Sequence, residues 1–212
     1  MNRNQSAIFH HIKKYHLIYF FMIILFLIGI IFGAIIVNSM GVIQRQNLFF
    51  YVDQFLSRLL EGPIISNQEI LKTSFFYHFQ YLALFFILGL SVIGLPIIWV
   101  LIFVKGVVVG FSVGFFVNQL GWKGLLFAAA SIAPQNLISI PIYLLASSLA
   151  MIFSFHLIQK IFSRRLQKEP IAQYLMQYMI IFVVLIACLG GASIVEAFVS
   201  NPLMDWITNR FY

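Results

Sequence analysis

Few side chains in this sequence could do chemistry, and most of them lie inside apolar stretches. Lys105 falls near the middle of the run Pro96–Val117. An ammonium at that depth of a bilayer costs about 2.5–3.5 kcal/mol on insertion scales, so it is read first as functional. The plainer alternatives are that it snorkels, or that the helix breaks at Lys105-Gly106 and leaves it at an interface. Gln135, Asn136 and Ser139 lie in "ASIAPQNLISIP", residues 130–141, and Glu196 lies near the end of the last apolar run. No acidic residue is an obvious partner for Lys105, and pairing with Glu196 would require offset helices.

The five histidines are His10, His11, His16, His78 and His156. With Lys13 and Lys14, the first three form a weakly basic juxtamembrane collar. No acidic ligands lie nearby, so no metal site is expected there. The sequence has no Ser/His/Asp grouping, no HExxH, no phosphate loop and no Walker motif. Only six residues are acidic. No enzyme activity and no cofactor are expected. The one cysteine, Cys188, sits in an apolar run and can form no intramolecular disulfide.

The elements that must position these residues follow from composition. The chain is 62% hydrophobic and 9% charged, against about 25% charged in soluble domains. Several runs approach the ~20 apolar residues needed to cross a bilayer. They are apolar all round, which excludes the alternation of a transmembrane barrel. The expected fold is all-α: a polytopic helical membrane protein, one integral domain over residues 1–212. The net charge of +7 needs no nucleic acid to explain it. The run at 17–37 exceeds the ~7–15 residues of a signal-peptide core and is read as a retained span.

Five spans are expected, at about 17–37, 70–93, 96–117, 134–158 and 173–199. Ser66 and Glu69 have the spacing of a capping box before the second span. Gly94-Leu95-Pro96 marks a hairpin, with Pro96 in the first turn of a new helix. Lys and Arg cluster before the first span and between the fourth and fifth, which places the N-terminus in the cytoplasm and the C-terminus outside. The outer segment, 38–69, carries Val52, Phe55, Leu56, Leu59 and Leu60 at helical spacing, with Gly62-Pro63 as its stop. This amphipathic helix is read either as lying in the headgroup layer or as a docking face for a partner.

Small residues recur four apart: Gly29 and Gly33; Gly106, Gly110 and Gly114; Ala187 and Gly191. Such stripes let helices approach closely, and packing is the role expected of them. The stretch 123–158 would run about 54 Å as one straight helix, too long for a ~30 Å core. Pro134 is read as the start of a new helix, preceded by a short shallow or re-entrant helix from Lys123 to Ala133. Pro141 is expected to kink or break the fourth span. Backbone freed there must be buried in protein or face a water cavity.

The tract "LGLSVIGLPIIWVLIFVKGVVVGFSVGFF" is similar to the glycine-punctuated middle helices of the stage II sporulation protein M family. The family's proline junction often reads Pro-His-Gly-x-x-Glu; here Gln135 and Ser139 replace the His and the Glu. Its last span often ends in Glu-Ala-aromatic, and "IVEAFVSNP" keeps Glu196, Ala197 and Phe198. The resemblance covers nearly the whole chain. It implies a non-enzymatic component of the engulfment machinery of endospore-forming bacteria, in the mother-cell membrane at the septum. Its implied partners are two cell-wall hydrolases, a lytic transglycosylase and an amidase/endopeptidase, besides the lipid bilayer; a homo-oligomer is compatible with it. Two readings remain: a scaffold recruiting those hydrolases, or a channel, transporter or lipid-moving protein built on the break at Pro134, with Lys105, Gln135, Asn136 and Glu196 lining the path.

Overall fold

The computed structural model describes residues 3–60, 67–162 and 171–200. These form six α-helices: α1 (Arg3–Ser39), α2 (Val42–Leu60), α3 (Asn67–Gly89), α4 (Gly94–Ser131), α5 (Ala133–Phe162) and α6 (Ile171–Val195). A single π turn, Glu196–Ser200, extends α6. There is no strand among the described residues. The capping serine Ser66 and the stop Gly62-Pro63 lie outside them.

Four helices are long and apolar enough to cross a membrane: α1, α4, α5 and α6. The third is not among them, because Lys72, Thr73, Ser74, His78 and Gln80 dilute its apolar content. Large apolar side chains turn outward around the bundle, among them Phe20, Ile31, Ile87 and Val183. That is the surface a chain needs when its solvent is hydrocarbon.

The core explains the order of the helices. Met22 and Phe26 of α1, Leu82 and Phe85 of α3, and Ile98 and Ile102 of α4 meet Tyr143, Ala146 and Ala150 of α5. Tyr178, Phe182 and Leu189 of α6 close the cluster. Tyr178 stacks on Phe153, with ring centroids 4.4 Å apart, and donates its hydroxyl to the Phe86 carbonyl at 3.2 Å. The turn at 90–93 joins α3 to α4 as a tight hairpin, with Gly94 N–H bonding Ser91 O at 3.1 Å. Pro96 falls in the first turn of α4, where its missing N–H has no helical partner.

The longest interface joins α1 to α4, and glycine makes it. A Cβ on Gly29 would overlap the Phe103 carbonyl, and one on Gly106 would overlap the Phe26 carbonyl. Gly33 and Gly110 are equally tight against Val107 and Ile30. Gly114 is looser, since its Cβ would meet Ala34 Cα at 3.4 Å. The small-residue pair on α6 behaves differently. Ala187 and Gly191 are exposed, and a Cβ on Gly191 would meet nothing within 4 Å. The packing expectation for this pair is corrected: α6 buries Leu185, Leu189, Ala192 and Ser193, a neighbouring stripe, and turns Ala187 and Gly191 away from the bundle.

Two breaks set the ends of the helices. At Tyr15 (φ −113°, ψ 19°) α1 bends, separating the basic N-terminal segment from the apolar run. Gly121 (φ 57°, ψ −131°) interrupts α4 in a region that favours glycine. After it the chain folds back so tightly that a Cβ on Gly124 would overlap the Phe116 carbonyl. The expected short helix before Pro134 is therefore the last part of α4, up to Ser131. Pro134 sits in the first turn of α5. Pro141 does not break the helix: α5 continues through it to Phe162. Burial of Ser139, Tyr143 and Ala146 on either side holds that stretch helical, and the proline removes only one intrahelical bond.

Candidate functional site

The polar residues of α3 are the key to the site. Ser74 and His78 are four apart, so they share one face of the helix. Both are buried against the bundle. Tyr77 and Tyr81, also four apart, flank that face and reach α4 and α5. A cavity of about 480 Å³ opens between α3, α4, the first turn of α5 and the π turn after α6. Its polar lining is Thr73, Ser74, Tyr77, His78, Lys105, Ser112, Gln135, Asn136 and Glu196. Since α3 and α5 begin, and α4 and α6 end, toward this cavity, it lies toward one end of the bundle.

Lys105 is buried with its ammonium in an aromatic cage. Its Nζ lies 4.8 Å from the ring centroids of Tyr77 and Tyr81 and 4.9 Å from that of Tyr143. It also donates to the Tyr77 hydroxyl at 3.5 Å. Ring faces carry the negative end of the aromatic quadrupole, so three of them stabilise a desolvated cation. The helix neither breaks at Lys105 nor lets it snorkel to an interface: its φ/ψ stay helical and its side chain stays inside.

Glu196 has a separate cradle. The hydroxyl of Ser74 donates to its Oε2. Gln135, with its amide nitrogen turned toward the carboxylate, donates to Oε1 at 3.0 Å. His78 Nε2 stands 3.9 Å from Oε2. Glu196 lies three residues beyond Ser193, whose hydroxyl accepts from Ser74, so it falls on the face of α6 that is turned toward α3, and the π turn begins there. Lys105 and Glu196 therefore line one cavity without the helix offset that their sequence positions imply.

His78 joins the two cradles. Its Nδ1 shares a 2.5 Å hydrogen bond with the hydroxyl of Tyr143, whose ring also faces Lys105. Its Nε2 is buried with no hydrogen-bond partner. A buried polar atom left in this way is costly unless something else completes it.

The junction at Pro134 is satisfied locally. Asn136 donates its side-chain amide to the Ile132 carbonyl at 2.8 Å and accepts from Ser139 at 3.4 Å. Ser139 is buried behind Asn136 and does not line the cavity. Gln135 and Asn136 do, so the broken helix contributes directly to the site. His78, Ser74, Tyr77, Tyr81 and Tyr143 were not singled out from the sequence. The signal on α3 was present as two pairs at i, i+4, Ser74 with His78 and Tyr77 with Tyr81.

The expected docking residues lie elsewhere, on α2. The helix runs from Val42 to Leu60, so Val52, Phe55, Leu56, Leu59 and Leu60 are helical; their side chains lie outside the described set. Its first half is anchored by Arg45, which donates to the Asn38 carbonyl at 2.8 Å and to Asn118 at 3.3 Å. Val42, Ile43, Phe50 and Tyr51 are exposed. At the other end, His156 accepts or donates a 3.0 Å bond with Tyr15. No metal-ligating cluster occurs among the described residues.

Residues 22–201 match the family model described as stage II sporulation protein M. No curated protein and no solved structure is significantly similar to the chain. The match takes in the glycine interface of α1 and α4, the junction at Pro134 and the turn that carries Glu196. The chain is a membrane-helical protein that belongs to the stage II sporulation protein M family.

Proposed function

We propose that the protein is a non-enzymatic membrane scaffold of sporulation. It recruits two peptidoglycan hydrolases, a lytic transglycosylase and an amidase/endopeptidase, to the mother-cell side of the septum. There they clear the wall so that the mother-cell membrane can engulf the forespore. The observation that carries this reading is the family match over residues 22–201. Two features of the chain support it. The α1–α4 pair is locked backbone to backbone, which suits a rigid platform. Arg45 ties α2 to that platform while Ile43, Phe50 and Tyr51 remain uncovered.

In this reading α3 is a fifth span, because it turns Ser74 and His78 inward and Phe76 and Ile87 outward. With the Lys- and Arg-rich flanks in the cytoplasm, the N-terminus is cytoplasmic, α2 lies one span away on the side of the wall, and five spans leave the C-terminus there too. The test is affinity purification of the tagged protein from sporulating cells in mild detergent. Recovery of both hydrolases is expected. Their loss on changing Phe50, Phe55 or Leu59 to Asp, with insertion intact, assigns the docking face to α2. Recovery by all three variants overturns that face, and a partner-free protein overturns the scaffold.

One observation favours a second reading. Lys105, Gln135, Asn136 and Glu196, the residues a transport path would need, line a single cavity. Flux of a solute or lipid in liposomes holding this protein alone would support it.

A further inference from the structure

We propose that the cavity between α3, α4, α5 and the π turn binds the zwitterionic headgroup of an aminophospholipid, phosphate toward Lys105 and primary amine toward Glu196. The inference goes beyond the scaffold reading and does not rest on it.

The argument begins with charge. One ammonium and one carboxylate line the cavity. Among the described residues, the only ion pair at Glu196 is the 3.9 Å approach of His78. Lys105 is held by tyrosine faces and Glu196 by Ser74 and Gln135. Two opposite charges inside a membrane bundle would ordinarily close on each other to offset desolvation. Here separate cradles keep them apart. A net anion would meet Glu196, and a net cation would meet Lys105. A ligand carrying both charges, separated along its length, is complementary to both.

Hydrogen bonding narrows the class. Glu196 is an acceptor, so a primary ammonium suits it better than a quaternary one, which has no N–H to donate. Around Lys105 the hydroxyl of Tyr77 supplies a further polar contact for phosphate oxygens.

The route of access favours a lipid. Thr73, Tyr77 and Val108 line the cavity and are also exposed on the α3–α4 side. Beside them Phe76 is 60% and Val104 42% exposed. A headgroup entering between α3 and α4 would leave its chains on this apolar flank. The volume, about 480 Å³, lies within the ~300–1,000 Å³ common for ligand sites.

The test is native mass spectrometry of the full-length protein in detergent, offered an equimolar mixture of phosphatidylethanolamine, phosphatidylcholine and phosphatidylglycerol with matched chains. Retention of phosphatidylethanolamine about tenfold above the other two is expected, the scale of one hydrogen bond to a charged group. Lys105→Met should lower retention of all three. Glu196→Gln should bring phosphatidylethanolamine down to the level of phosphatidylcholine and raise phosphatidylglycerol, a change of selectivity that misfolding would not imitate. Equal retention of the three heads by the unaltered protein overturns the proposal without using any variant. Displacement of the lipid by soluble O-phosphoethanolamine at equal concentration overturns the lipid source and makes the ligand a free zwitterion. Hydrolase recovery from cells is a separate readout, so failure here leaves the scaffold reading standing.

Discussion

Gly110→Ala tests the α1–α4 interface most sharply. The added Cβ would lie 2.7 Å from both the carbonyl carbon and Cα of Ile30, where ordinary contact begins near 3.4 Å. These are backbone atoms on a continuous helix, so no rotamer change relieves the overlap. The Ile30 carbonyl oxygen lies closer still, so the helices must part by more than about 0.7 Å locally, and a gap of about 0.5–1 Å already forfeits a quarter to a half of each dispersion contact. Overpacking of this kind costs about 1–3 kcal/mol, and backbone on both sides places it at the upper end. Alanine recovers at most about 1 kcal/mol through helix propensity. The net expectation is a loss of about 2 kcal/mol. Gly114→Ala, which meets only ordinary contact, and Gly191→Ala, which meets none, should lose nothing. The assay is SDS-driven unfolding in mixed micelles, followed by Trp99 fluorescence with Trp122 and Trp206 changed to Phe. Trp99 packs edge-on against Phe21 of α1 at 5.4 Å and so reports on this interface. A Gly110→Ala protein as stable as Gly114→Ala would refute the reasoning.

Gly121→Ala introduces no clash, because nothing lies within 4 Å of the new Cβ. Its cost is purely conformational, at φ 57°, and is expected to be about 1–3 kcal/mol in the same unfolding assay. Tyr178→Phe keeps the 4.4 Å stack on Phe153 but removes the bond to the Phe86 carbonyl. A loss of about 0.5–1.5 kcal/mol is expected, whereas Tyr178→Ala, which also empties the core, should lose about 3–5 kcal/mol.

Periodicity and breakers carried most of the fold. Long apolar runs fixed where the helices lie, and Gly94, Pro96, Gly121 and Pro134 fixed where they end. The small-residue stripes were legible only as candidates. Four-residue spacing says that Ala187 and Gly191 share a face, but not which face of α6 meets a neighbour. Pro141 does not end α5; whether a proline ends a helix depends on the burial around it, which a local pattern does not record. In the site, Lys105, Gln135, Asn136 and Glu196 each stood out as polar residues in apolar runs. Their convergence did not, since it depends on which face of α6 meets α3 and on the foldback after Gly121. His78 was passed over for a related reason: a histidine near one end of an apolar run gives no hint of being buried until α5 and α6 are in place.

The low apolar content of α3 and the cavity have one cause. Most of the polar side chains that make α3 a poor span by composition are at its start or turned toward the bundle, where Ser74 meets Glu196 and His78 meets Tyr143; Gln80 alone is exposed further along. Alone in hydrocarbon, such a helix would expose hydrogen-bonding groups with nothing to satisfy them. Packed against α4, α5 and α6, it finds partners for Ser74 and for one nitrogen of His78. Stability of α3 in the membrane is therefore tied to the formation of the site. The converse also holds. Lys105 keeps its cage only while Tyr77 and Tyr81 are presented by α3 beside Tyr143 of α5. A bundle selected for packing alone would have no need of this mutual dependence, since Leu at positions 78, 105 and 196 would satisfy the core more simply. The polar set retains a chemistry that apolar packing does not supply, and that is the physical ground for placing a ligand there.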